Sequence, residues 1–195
     1  MMQANSISVA GETLDLHPLK AIYWQAQKIL MLADFHIGKG AHFRRNGIMV
    51  HTGVDQVNIK NLHKLIRNFD VTRVIFLGDL FHSRYNQEWD VLNQFLNHQT
   101  TIQFDLVMGN HDILPSSIYA ASNLVVHKDP LMIGPFYLTH IPAEKTAPKG
   151  YYNLSGHIHP GVILKGAGKQ YLRTPCFYFG KTSGILPAFG EFTGL

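Results

Sequence analysis

Two short motifs set good metal ligands one residue apart: Asp34-Phe35-His36 and His157-Ile158-His159. Where the backbone is extended, a spacing of two puts both side chains on one face, so each pair could act as a pincer on an ion. Three more clusters carry compatible residues: Gly78-Asp79 with His82 following, Gly109-Asn110-His111-Asp112, and Thr139-His140. Nitrogen and carboxylate donors without thiolate suit manganese, iron or zinc, and argue against an iron–sulfur cluster or a structural zinc finger. Each piece alone has an ordinary explanation. An Asp-x-His pair is commonly a surface pair or a helix cap, Gly-Asn-His-Asp a hydrogen-bonded turn, and His140 a satisfied strand-end histidine. Five such placements in this order are hard to explain as turns and caps.

The elements between the clusters say how they could converge. Lys28 to Ala33, Val71 to Leu77 and Thr101 to Met108 are short, mostly apolar runs, as strands covered on both faces tend to be. Between the first two, Val54, Val57, Leu62, Leu65, Ile66 and Phe69 recur at helical spacing, leaving Lys60, Lys64 and Arg67 opposite. Trp89, Leu92, Phe95 and Leu96 repeat that pattern between the second and third. Strand, helix, strand, helix, strand predicts a parallel central sheet, whose ligands bind beyond the carboxyl ends of its strands. The clusters stand at those ends. Ile7 to Leu16 and Ala21 to Gln27 read as two short antiparallel strands around His17-Pro18. Beyond His111, strands are expected at Leu124 to His127, Pro135 to Thr139, Tyr152 to Ser155, Val162 to Leu164 and Tyr171 to Phe179. The fold class is therefore α/β, a two-sheet β-sandwich flanked by helices, in one domain over residues 1–195. Gly78, Gly109 and Gly156 permit the backbone turns that bring ligands close. Phe177 to Gly194 holds no obvious ligand and should pack against a sheet edge.

Composition narrows the partners. Seventeen Lys and Arg against thirteen Asp and Glu leave a net charge of +4, which favours an anionic partner such as nucleic acid or a phosphorylated metabolite. Twelve histidines nearly equal all the acids together, as a protein built on imidazole ligands would show. The lone Cys176 rules out an intramolecular disulfide and fits a reducing compartment. No apolar run approaches the ~20 residues of a membrane span, and Met1 to Gln25 lacks a basic start followed by an apolar stretch. A soluble, cytoplasmic protein with no membrane partner is expected.

The ordered set Asp34-x-His36, Gly78-Asp79, Gly109-Asn110-His111-Asp112, His140 and Gly156-His157-x-His159 resembles the calcineurin-like metallophosphoesterases. Further stretches, Ala33-Asp34-Phe35-His36-Ile37-Gly38-Lys39-Gly40, Phe43-Arg44-Arg45-Asn46-Gly47, Gly78-Asp79-Leu80-Phe81-His82-Ser83 and Leu186 to Gly194, are similar to the bacterial DNA ligase-associated metallophosphoesterases. That resemblance covers nearly the whole chain, and members are expected to continue beyond Phe192-Thr193-Gly194, where this chain ends at Leu195. It implies a phosphodiesterase or endonuclease of DNA repair, working on nucleic acid or nucleotides in association with DNA ligase and helicase. It also implies two divalent ions, manganese foremost with iron or zinc as alternatives. Asp34, His36 and His159 would hold one ion, Asn110, His140 and His157 the other, and Asp79 would bridge them. Two such ions acidify water and clamp phosphoryl oxygens during in-line attack. His111 would donate a hydrogen bond or proton to the leaving oxygen, with Asp112 orienting its ring. His82 is either a partner that fixes a ligand or a polar residue on the rim. Arg44 and Arg45, with Lys39 nearby, could bind substrate phosphate or form a solvated basic loop. Two other functions compete: hydrolysis of a UDP-linked lipid pyrophosphate, which would favour a long apolar groove or lid, and a non-catalytic binding module, which would be expected to lose ligands that this chain keeps.

Overall fold

Strands that are apolar on both faces must be covered on both, and the chain meets that demand with helices on one side and a second sheet on the other. The computed structural model describes residues 5–51, 53–82, 85–143 and 147–194. Its larger sheet has the order β1 (Asn5–Val9), β2 (Glu12–His17), β3 (Ala21–Trp24), β4 (Ile29–Leu32), β5 (Arg73–Leu77), β6 (Gln103–Val107), β7 (Val125–His127). The first four strands form an antiparallel meander, and β4 to β7 run parallel. Parallel neighbours need crossovers. α1 (Lys39–Arg45) and α2 (Val54–Asn68) supply the first, α3 (Gln87–His98) the second, and the short α4 (Ser116–Ala120) precedes β7. The smaller sheet has the order β13 (Tyr178–Phe179), β14 (Ser183–Ile185), β10 (Tyr152–Ser155), β9 (Phe136–Leu138), β8 (Leu131–Ile133), and β11 (Gly161–Lys165) with β12 (Tyr171–Pro175) forms a separate two-stranded ribbon.

Period-two alternation divides the central strands between two cores. Leu30, Leu32, Val74, Phe76, Phe104 and Leu106 meet Leu62, Leu65, Leu92 and Leu96 of the helices. Met31, Ile75, Leu77 and Val107 point the other way, onto Phe136, Leu138, Leu154 and Leu186 of the smaller sheet. Asp105 is the polar member of that face. Its fully buried carboxylate is held by Arg73 Nε at 2.7 Å and Nη2 at 2.8 Å, and by His127 Nε2 at 2.7 Å.

Some elements depart from expectation. Ile7 to Leu16 is a hairpin, because Ala10 and Gly11, at φ 51° and 84°, make the two-residue turn that joins Val9 to Glu12. Alanine is an unusual residue for such a turn, so the turn leaves little trace in sequence. Tyr171 to Phe179 divides: β12 pairs with β11, and β13 joins the smaller sheet. β8 and β14 have three residues each, too short to show a period. No helix among the described residues is long and apolar enough to cross a membrane.

Candidate metal centre

Asp34, Asp79, Asn110, His140 and His157 follow the carboxyl ends of β4, β5, β6, β9 and β10, and the sandwich brings these ends to one rim. Two groups of ligand atoms result: Asp34 with His36 and His159, and Asp79 with His140 and His157, each with all its atoms within 4.8 Å of one another. Asn110 Oδ1 stands 3.0 Å from His140 Nε2, which in turn is 3.1 Å from His157 Nδ1. Asp79 lies between the groups, with Oδ2 3.7 Å from His36 Nε2 and Oδ1 3.4 Å from His140 Nε2.

The pincers are not extended strands. Asp34, His36, Asp79, His157 and His159 all take positive φ, at 54°, 51°, 50°, 69° and 50°. In each motif the two ligands share this left-handed geometry, and in the first the residue between them turns away into the core. Phe35 stacks on Phe189 with ring centroids 5.0 Å apart. Left-handed backbone costs roughly 1–2 kcal/mol per residue that carries a Cβ, so the site stores strain that the surrounding structure must hold. Backbone hydrogen bonds beyond the sheet do this: Asp34 N to Gly78 O at 3.2 Å, His36 N to Asp79 O at 2.8 Å, His82 N to Ile37 O at 2.8 Å. The glycines act less through turns than through the space they leave. Only Gly78 among the three has positive φ, and a Cβ on Gly78, Gly109 or Gly156 would run into the His140 ring, the Asp79 carboxylate or the Asp34 carboxylate, respectively.

Hydrogen bonds to carbonyls decide which imidazole nitrogens are available. Since a carbonyl only accepts, His140 Nδ1 donates to Leu77 O at 3.0 Å and His159 Nδ1 to Gly194 O at 3.1 Å, leaving both Nε2 lone pairs toward the site. Burial first, then the charges of Lys39, His82, His159 and His111, hold the His36 pKa far below the usual imidazole value, so the ring is neutral and able to ligate. Among the described residues, one of the buried oxygens left without a hydrogen bond lies in this site. Asp34 Oδ2 accepts from His157 N at 2.9 Å, whereas the fully buried Oδ1 finds no hydrogen-bond partner among the described residues. A carboxylate oxygen without a hydrogen bond is costly to bury, and a cation in the first group would meet it. The donor set and this orphaned oxygen fit a divalent ion.

The other anticipated residues fare differently. His111 reaches the rim, its N–H donating to Asp79 Oδ1 at 2.9 Å and its ring stacked on His82 at 4.5 Å. Asp112 does not take up its expected place against that ring. Its buried oxygens accept from Phe81 N at 3.1 Å and Gly109 N at 2.8 Å, so it ties the β5 loop to the β6 loop; burial pushes its carboxyl up to about 7 against those bonds. His82 Nδ1 lies 3.4 Å from His36 Nδ1, beside a ligand instead of out on the rim. Arg44 is also redirected: five residues after Lys39 on α1, it faces α3 and pairs with Glu88 at 3.2 Å. Arg45 is exposed near the end of α1, and Ser83 lies outside the described residues. Lys39 is the basic residue that faces the centre; burial lowers its pKa, and the charges of Asp34 and Asp79 oppose that shift.

Sequence reasoning overlooked the residues that hold the loops. Asp55 Oδ1 accepts from Gly38 N at 3.1 Å, and Asn58 bonds Phe35 O at 3.4 Å and Glu191 N at 3.0 Å. Both lie on the buried face of α2, in line with Leu62 and Leu65, where a polar residue is itself a signal. The tail from Phe177 was expected only to pack against an edge. Instead β14 pairs in parallel with β10 inside the smaller sheet, and Phe189 N and Gly190 N bond the carbonyls of Ala33 and Asp34 at 2.8 and 3.1 Å.

The family profile described as calcineurin-like phosphoesterase matches residues 27–180, which takes in every residue of both groups. The chain belongs to this family. As a calcineurin-like phosphoesterase it is a metal-dependent phosphoric ester hydrolase. Among solved structures, this phosphoesterase is similar to Pseudomonas putida nuclease MPE, at 31% identity and a TM-score of 0.80 over 98% of this chain and 90% of that one. A protein of unknown function from Aquifex aeolicus is 20% identical over 67% of this chain and 78% of that one, with a TM-score of 0.46. No curated protein matches the chain.

Proposed function

We propose that this phosphoesterase cleaves the phosphodiester bonds of nucleic acid with two divalent ions, manganese foremost. The observation that carries the reading is the position of Asp79 between two ligand groups, 3.7 Å from His36 Nε2 and 3.4 Å from His140 Nε2. In its support, the P. putida structure that is 31% identical over nearly the whole chain is a nuclease. Two bound ions supply an acidified water and neutralise charge on the phosphoryl oxygens. The rest falls to side chains. Asp34, His36 and His159 would hold one ion and Asn110, His140 and His157 the other, with the Asp79 carboxylate within reach of both groups. Lys39 offers its ammonium to the phosphate. His111 donates a hydrogen bond or proton to the leaving oxygen, positioned by its own N–H on Asp79, while Asp112 holds the two loops on which His111 and Asp79 stand.

The test is a comparison of bis-p-nitrophenyl phosphate, p-nitrophenyl phosphate, single-stranded DNA and a UDP-linked lipid on manganese-loaded protein. The diester should be cleaved in preference to the monoester, and DNA in preference to the lipid pyrophosphate. A reversal of either order overturns the assignment. We further read the protein as a cytoplasmic DNA repair enzyme acting with DNA ligase and helicase; the support is the family resemblance, and co-purification with either is the test.

A further inference from the structure

From Ala147 to Gly190 the chain contains Lys149, Lys165, Lys169, Arg173 and Lys181 and no Asp or Glu. This segment outweighs the +4 of the whole chain. At its centre, the β11–β12 ribbon pairs with neither sheet among the described residues and is exposed on both faces. The register assigns its side chains. Ile163 opposes Arg173 and Lys165 opposes Tyr171, so these four share one face, and with Lys169 from the turn they line a shallow concavity of about 380 Å³. Tyr171 is 69% exposed. The ribbon also starts at the site: Gly161 is two residues past His159, and Cys176 N closes its base by donating to Pro160 O at 3.0 Å.

An exposed aromatic ring interleaved with cations, with no acid in the lining of the concavity, is the chemistry that stacks an unpaired base and neutralises the adjoining phosphates. We propose that this face of the ribbon binds single-stranded nucleic acid and guides it to the metal centre. Five residues per strand give an arm roughly 17 Å long. The proposal rests on the reading of the site as a nuclease, and it adds where the strand lies. A double-stranded substrate has no unpaired base to offer Tyr171, so the arm favours single strands.

The experiment uses the full chain with two readouts: the affinity for a fluorescent oligothymidylate measured by anisotropy in EDTA, and manganese-dependent turnover of bis-p-nitrophenyl phosphate, which is too small to reach the ribbon. Tyr171→Ala should weaken oligonucleotide binding by roughly 10-fold, in the range of lost base stacking. Reversing Lys165, Lys169 and Arg173 to Glu should weaken it by more than about 100-fold at low salt and reduce the salt slope by about two. Both variants should keep wild-type turnover of the small diester. Reversing Lys60, Lys64 and Arg67 on the exposed face of α2 makes the same change in net charge elsewhere, and should cost much less. Unchanged affinity in the ribbon variants, or an equal loss in the α2 variant, overturns the proposal. So does a fall in molecular mass for Leu164→Glu, on the opposite face, with oligonucleotide affinity intact in Tyr171→Ala, which would make the ribbon a self-association surface. The two readings fail separately. Ribbon-dependent binding without diester hydrolysis would leave the arm and remove the phosphodiesterase; diester hydrolysis with ribbon-independent binding would do the reverse.

Discussion

The carbonyl oxygen of Gly194 accepts a hydrogen bond from His159 Nδ1 at 3.1 Å, and this bond turns His159 Nε2 toward Asp34 Oδ1, 3.4 Å away. The tail that carries Gly194 is bound to the same ligand loop from behind: Gly190 N bonds Asp34 O, and Glu191 N bonds Asn58, whose amide bonds Phe35 O. One strap therefore sets both the His159 ring and the loop that carries Asp34 and His36.

A chain ending at Glu191 loses the Gly194 carbonyl while keeping the bonds of Gly190 and Glu191. Removal of such a supporting partner typically weakens metal binding by about 10- to 100-fold. Calorimetric titration with manganese should show the loss for one ion of the two, with excess manganese restoring activity. Two unaltered affinities would deny the strap this role.

The Asp79 carboxylate lies between both groups, so Asp79→Ala should remove activity and leave at most one ion per chain at saturation. Its carboxylate offsets charge that otherwise drives two cations apart. Metal analysis beside a diester assay decides; two ions with full activity would refute the bridge.

For His111, the leaving group is the probe. His111→Ala should slow an alkyl diester by about 10²- to 10⁴-fold, the range of general acid catalysis, and slow an aryl diester much less, because an aryl oxide leaves without a proton. Both ions should stay bound. Equal losses on matched substrates, or a lost ion, would mean that His111 acts through Asp79, which its N–H also holds.

Gly109→Ala tests the close approach directly, since its added Cβ would strike the Asp79 carboxylate, whereas the same change at Gly47 meets nothing within 4 Å. Gly109→Ala should lower metal occupancy and destabilise by about 1–3 kcal/mol, the range for overpacking. Gly47, at φ 77°, should show only the smaller cost of left-handed backbone without metal loss. Thermal melts with metal analysis separate the two.

Asp105 makes acid stability predictable. Burial alone would raise its pKa, but the hydrogen bonds from Arg73 and His127 outweigh burial, and the net shift is below the ordinary 3.8. A carboxyl depressed on folding contributes stability above its unfolded pKa and loses it as pH falls through the folded value. Asp105→Asn should cost about 2 kcal/mol at neutral pH, as loss of charged hydrogen bonds does, and the gap from wild type should close below pH 3.8. A gap independent of pH would show that shape, and not charge, carries the contribution.

The sequence by itself determined the kinds of candidate ligands, their order and the strand ends that carry them, because residue type and hydrophobic period are local properties. Asp34, His36, Asp79, Asn110, His140, His157 and His159 could be singled out as candidate ligands for that reason, and β4, β5, β6, α2 and α3 were legible too. What only the tertiary structure decided depends on groups far apart in the chain. The left-handed geometry of Asp34 and His36 is held by the carbonyls of Gly78 and Asp79, and Asp112 spends its oxygens on two loops instead of one imidazole. Arg44 turned to Glu88 because α1 and α3 meet, a packing that no spacing within α1 encodes. Gly194 contributes a backbone oxygen, identical in every residue type, so only its position beside His159 in the folded chain could reveal what it does.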